Sequence, residues 1–217
     1  MKTQRIPLMM TKRWVALAAA LVLLSSSVAI GGGTPEKEAI DEQLGEAAER
    51  GDLATVRFLL EKGVDVDASE LKGTPLMRAA KAGRLETVKF LLNSGADVSG
   101  RMGLRALKAA AGSGSLEIVT LLLDKGVAVN ETLQEVDSPL MVAADNGNPL
   151  VIRLLLQRGA AVNYKGPGSA TALMYAASSG HVQAVKLLLS KGAEVNAGDV
   201  DGRTALIGSA RGGHKEV

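Results

Sequence analysis

Apolar residues recur along this chain in short bursts at helical spacing, and the bursts come in pairs. In Thr74–Val98, Leu76, Ala79 and Ala80 share one face of a short helix. Leu85, Val88, Leu91 and Leu92 then share one face of a second. Thr74 supplies an N-cap hydroxyl, and Pro75 takes the first helical position, where its missing N–H does no harm. Gly83 stops the first helix, and Gly95 is placed for the left-handed C-cap of the second. The pattern predicts a helix–turn–helix unit whose alanines allow close helix approach. A pair this small cannot bury its own apolar faces, so it has to stack on neighbours.

The neighbours are written in the same words. "TPLMRAAKAGRLETVKFLLNSGADV" returns as "SPLMVAADNGNPLVIRLLLQRGAAV" at Ser138–Val162 and as "TALMYAASSGHVQAVKLLLSKGAEV" at Thr171–Val195. The glycine closing each first helix falls at Gly51, Gly83, Gly114, Gly147, Gly180 and Gly213, at spacings of 31 to 33 residues. The second glycine, at Gly63, Gly95, Gly126, Gly159 and Gly192, always follows 12 residues later. This period marks a stacked solenoid. The chain closely resembles the ankyrin-repeat family over about residues 40–217, best in "VNAGDVDGRTAL", Val195–Leu206, beside that family's "VNA-D-x-x-G-x-T-P-L". The resemblance implies an all-α ankyrin-repeat solenoid with β-hairpin-like finger loops. Its repeats would span about 40–68, 69–99, 100–130, 131–163 and 164–196, with a truncated sixth at 197–217.

Departures from the phrase carry their own expectations. The first unit keeps "AAERGDLATVRFLLEKG" without a Thr-Pro-Leu opening, as befits a polar cap. In the third, "RAL" at Arg105–Leu107 replaces "TPL" and two loop residues are missing. Its first helix should therefore fray most readily, and Arg105→Thr should restore a cap and raise the melting temperature. Phe58 and Phe90 share a register inside second helices and read as core. Where the family phrase has Thr-Pro-Leu-His, this chain has Met77, Lys108, Met141, Met174 and Ile207, which implies softer, more apolar junctions. The sixth unit stops at Val217 with an apolar face open to water, so the chain reads as a fragment of a longer protein.

Charge and composition change the picture mainly at the N-terminus. Residues are 47% apolar but only 2% aromatic, which suits thin helical layers. The net charge of +2 misleads, because residues 1–29 hold Lys2, Arg5, Lys12 and Arg13 and no acid. Taking those four from 25 leaves 21 basic against 23 acidic residues, and no case for nucleic acid as partner. The basic segment ends at Arg13, an apolar run covers Trp14–Leu24, and Ser27 and Ala29 suit a cleavage site. Residues 1–29 thus read as a secretory signal peptide and 30–39 as a flexible linker. The rival is an uncleaved anchor over Trp14–Ile30, the only arrangement that makes a membrane a partner. The leader points to the cell envelope, first the periplasm, with secretion or inner-membrane tethering as alternatives. The chain has no cysteine for disulfides or lipid attachment.

Candidate chemistry is sparse. His181 and His214 each follow a repeat glycine and stand one repeat apart, which suits capping or packing rather than metal ligation. "SELK" at Ser69–Lys72 lies in a loop without companion motifs, and "DVDG" at Asp199–Gly202 coincides with a repeat turn. No catalytic residue, cofactor, metal or small-molecule substrate is indicated. The resemblance implies instead that a protein partner binds the exposed side of the first helices and the fingers. Those positions include Glu49, Arg50, Arg78, Lys81, Asp145, Asn146 and Tyr175 on helices, and Tyr164 on a finger. Tyr175, Tyr164 and Arg78 rank first by residue type. The expected function is a non-enzymatic protein-binding scaffold. The alternative is the targeting arm of a larger enzyme or effector whose catalytic domain lies beyond Val217.

Overall fold

The computed structural model describes residues 35–68, 73–130 and 137–217. The signal-peptide reading falls outside these, as does the "SELK" motif. Eleven α-helices run through the described residues. The first helices of successive units are α1 (Pro35–Arg50), α3 (Pro75–Lys81), α5 (Gly100–Ser113), α7 (Pro139–Asp145), α9 (Ala172–Ser178) and α11 (Ala205–Gly212). The second helices are α2 (Leu53–Glu61), α4 (Leu85–Asn93), α6 (Leu116–Asp124), α8 (Pro149–Gln157) and α10 (Val182–Ser190). The row of first helices is packed far more tightly than the row of second helices. Paired alanines make this approach possible: Ala47 and Ala48, Ala79 and Ala80, Ala110 and Ala111, Ala143 and Ala144, and Ala176 and Ala177 are all buried. Among the described residues no helix is long and apolar enough to cross a membrane.

Local chemistry sets the helix boundaries. The hydroxyls of Thr74, Ser138, Thr171 and Thr204 accept the N–H of Met77, Met141, Met174 and Ile207 at 3.2–3.4 Å. Both glycines of each repeat adopt positive φ, which a residue with a Cβ would resist. Met141 and Met174 are buried in the junctions between repeats. At the far end Leu206 is 72% exposed.

Three expectations are corrected. Helix α1 begins at Pro35, so its first turns occupy residues assigned to the linker, with proline at the helix start. Phe58 and Phe90 are only half-buried, because their register turns toward the outer flank of the second helices. There Lys62 and Arg57 lie 5.6 and 5.0 Å from their ring centres. The largest correction concerns the third repeat. Helix α5 starts at Gly100 and runs 14 residues, so Arg105 sits exposed inside it rather than at its cap. The shortened connection makes no finger at its start. The chain coils instead, placing Leu104 and Leu107 in the core, and Arg101 also lies on the helix. Arg105→Thr should therefore lower stability by about 0.5 kcal/mol, since it puts a β-branched residue into a helix interior. Thermal unfolding of that variant checks the sign.

Several repeats are tied to the next beside the ends of their second helices. Beyond the second glycine, the Asn130 amide donates to the Gly159 carbonyl at 2.7 Å and accepts from the Ala161 N–H at 2.9 Å. Asn163 does the same with Gly192 and Glu194, at 3.0 and 2.9 Å. Asp67 holds the equivalent place two junctions before Asn130. It accepts the Asp97 N–H at 3.0 Å but has no proton to give. Burial pushes its carboxyl above the ordinary range, and the charges of Asp65 and Asp97 add to this against the Asp97 hydrogen bond. Asp67→Asn should thus raise stability by about 1 kcal/mol at neutral pH. The folded-state carboxyl takes up its proton at higher pH than the unfolded one, so the parent gains stability on acidification through the range just above 3.8. The advantage of the asparagine should shrink over that window, as paired denaturation curves at several pH values would record.

Candidate recognition surface

The side of the first helices that faces away from the second helices presents a row of polar side chains, one set per repeat. Lys81, Asp145, Asn146, Glu49 and Arg50 are exposed on it, at the C-terminal ends of their helices. Helix ends place them there because the following glycine turns the chain away and leaves the last turn uncovered. Arg50 pairs with Glu46 at 3.0 Å, a solvent-screened contact of little energetic weight. Lys81 makes no ion pair among the described residues. The Asn146 amide donates back to the Val142 carbonyl at 2.9 Å, and Asp145 accepts the Ser179 hydroxyl at 2.8 Å.

Arg78 is not a free binding group. Its side chain is 4% exposed and is held by two carboxylates of the preceding unit. Nε and Nη2 donate to Glu49 Oε2 at 3.1 and 2.8 Å, and Nη1 lies 3.1 Å from Glu42 Oε1 without satisfactory hydrogen-bond angles. The guanidinium rests on Gly45, where a Cβ would come within 2.6 Å of Nη1. Burial works against the charge, but the hydrogen bonds to Glu49 and the close carboxylate of Glu42 outweigh it and raise the pKa above its ordinary value. Arg78 thus fastens α1 to α3, and of this trio only Glu49 offers substantial surface.

Tyr175 is half-buried, with its hydroxyl donating to Asp137 Oδ1 at 2.9 Å. Burial, that bond and the nearby charges of Asp137 and Asp145 push its pKa up to about 12. Asp137 also acts electrostatically on Lys108, whose pKa burial lowers and Asp137 partly restores, with Arg105 lowering it further. Neither Asp137 nor Lys108 stood out in the sequence. Lys108 had a signal, since a cation breaks the row of Met77, Met141, Met174 and Ile207. Asp137 had only its place beside the cap Ser138. Tyr164 packs its ring against the core at the base of a finger, apart from the Tyr175 cluster. The row thus presents a tyrosine, a carboxylate and an amide held by hydrogen bonds, beside the ammonium of Lys81, able to meet hydrogen bonds and opposite charges from a partner.

The histidines belong to the scaffold. His181 Nε2 lies 2.9 Å from the Asp145 carbonyl, and His214 Nε2 lies 3.0 Å from that of Ser178. Asn148 and Arg84 reach back from the same register to carbonyls of Ala111 and Glu49, at 2.9 and 3.0 Å. The two histidines pack and staple rather than cap, since each ring bonds across a junction, whereas Asp52 in the same register caps α2 through the Thr55 N–H. Asp199 Oδ1 accepts the N–H groups of Asp201 and Arg203 at 2.9 and 2.8 Å, so this carboxylate of "DVDG" holds a turn. Among the described residues no three His, Cys, Asp or Glu side chains gather around a metal-sized space.

Comparison with known families gives one result that accords with this geometry. The family of ankyrin repeats (three copies) matches residues 44–132, 98–166 and 140–217. No individual curated protein matches the chain.

Proposed function

The chain belongs to the ankyrin-repeat family, a protein–protein interaction module, and from that premise we propose that it is a non-enzymatic scaffold of the cell envelope, binding its partner on the row of first helices. The observation that carries this reading is the fixation of polar groups on an exposed surface. Tyr175 held by Asp137, and Asp145 holding Ser179, lose little rotamer freedom when a partner arrives. The basic, apolar and small-residue succession of residues 1–29 supports export to the periplasm.

Two experiments test the proposal. Photo-crosslinking residues placed singly at Lys81, Asp145 and, on the outer face, Lys89 of the full-length chain should yield a shared protein adduct from the first two in native cells. Adducts from Lys89 alone would refute the assignment of the surface. N-terminal sequencing of the mature chain should begin at Ile30, whereas an intact Met1 overturns cleavage.

A further inference from the structure

The outer helices carry a surface that the first-helix row does not explain. At their second position the chain reads Ala54, Glu86, Glu117, Leu150 and Gln183. Leu150 is thus the one large apolar side chain in that register, and it is 62% exposed. It borders an open groove of about 410 Å³ between α8 and α10, where Pro149 and Leu187 continue the apolar lining and Arg153 and Lys186 flank it.

Charge singles out the same place. The earlier outer helices mix signs through Glu61, Glu86, Glu117 and Asp124, whereas 149–158 and 182–191 contain no acid. They hold Arg153, Arg158, Lys186 and Lys191 instead. Arg158 is neutralised by Asp124 at 2.8 Å, and Lys89, in the register of Arg153, by Glu86 at 2.7 Å. Arg153 and Lys186 make no ion pair among the described residues.

We propose that this groove docks an acidic amphipathic helix of a protein partner. Apolar side chains of that helix would cover Leu150 and reach Leu187, while carboxylates on its flanks meet Arg153 and Lys186. A protein segment fits better than an anionic bilayer, because Leu187 is half-buried while Leu150 is mostly exposed, so a projecting side chain reaches Leu187 where a flat surface rests mainly on Leu150. The site lies on the opposite side of the repeats from Lys81 and Tyr175, so it stands or falls independently of the proposed scaffold surface.

The test uses the full-length chain and three probes. These are a labelled helical peptide with a leucine stripe flanked by glutamates, the same peptide with lysines for glutamates, and vesicles containing an anionic phospholipid. The acidic peptide should bind saturably, about 10-fold or more tightly than the basic one, and weaken as salt rises. Leu150→Glu and Arg153→Glu should each reduce its affinity about 10-fold without moving the melting temperature. Lys125→Glu, which changes net charge as much as Arg153→Glu but lies on α6's C-cap, should leave binding intact. The proposal is overturned if the acidic peptide fails to bind or if both peptides bind alike. It is equally overturned if Leu150→Glu has no effect, or if only vesicles are bound.

Discussion

Replacing Arg78 with alanine should lower the unfolding free energy by about 2–4 kcal/mol, the largest loss expected from any single polar substitution in the chain. Nearly the whole side chain is out of water, and its three nitrogens reach Glu49 and Glu42 across the junction between α1 and α3. Alanine would leave a cavity beside Gly45 and two carboxylates facing each other without a cation. The figure is held below that of a fully buried pair because Glu49 is itself 52% exposed and stays partly hydrated. Arg78→Met, which fills the space without the charge, should recover about half of the loss. Chemical denaturation of the two variants separates packing from charge. Equal losses would mean that the ion pair dominates, and a negligible loss in both would contradict the described junction.

Gly103→Ala should destabilise the protein by about 2–3 kcal/mol, although the same change in an ordinary helix interior would stabilise it by about 1. The difference is a matter of what the new methyl meets. A Cβ at Gly103 would overlap the backbone carbonyl of Val98 and come within 3.1 Å of Val127 Cγ2. Backbone cannot swing aside as a flexible side chain does, so the first turn of α5 would have to unwind. The sign of the effect therefore tests how closely the first turn of α5 packs on Val98. Stabilisation would mean that Gly103 has room for a methyl, and that the first turn of α5 does not lie against Val98 as described.

These two residues mark the border of what could be read from the chain alone. The period, the caps at Thr74, Ser138, Thr171 and Thr204, and the helix-ending glycines are all decided over three or four residues, by backbone conformation and local hydrogen bonds. Such interactions leave a trace in the order of residue types, which is why the all-α solenoid and its helix pairs were legible. The exposed positions Lys81, Asp145 and Asn146 followed from the same register, since a fixed period fixes which face each residue occupies.

Arg78 stands one helical turn before Lys81 on the same helix and still lies buried, because Glu42 and Glu49 stand 36 and 29 residues earlier and no local rule joins them. Tyr175 finds Asp137 in the same way, 38 residues back, and His181 finds the Asp145 carbonyl across a junction. Arg105 was misread for a related reason. A connection shortened by two residues can end in a poorly capped helix or continue as extra helix, and nothing within the segment distinguishes them. Burial of Leu104 and the fit of Gly103 under Val98 decide it, and both depend on how repeats stack. Local sequence thus determined the units and their faces. Contact between units decided which polar residues became ties and which remained surface, because desolvation is set by neighbours that only the fold supplies.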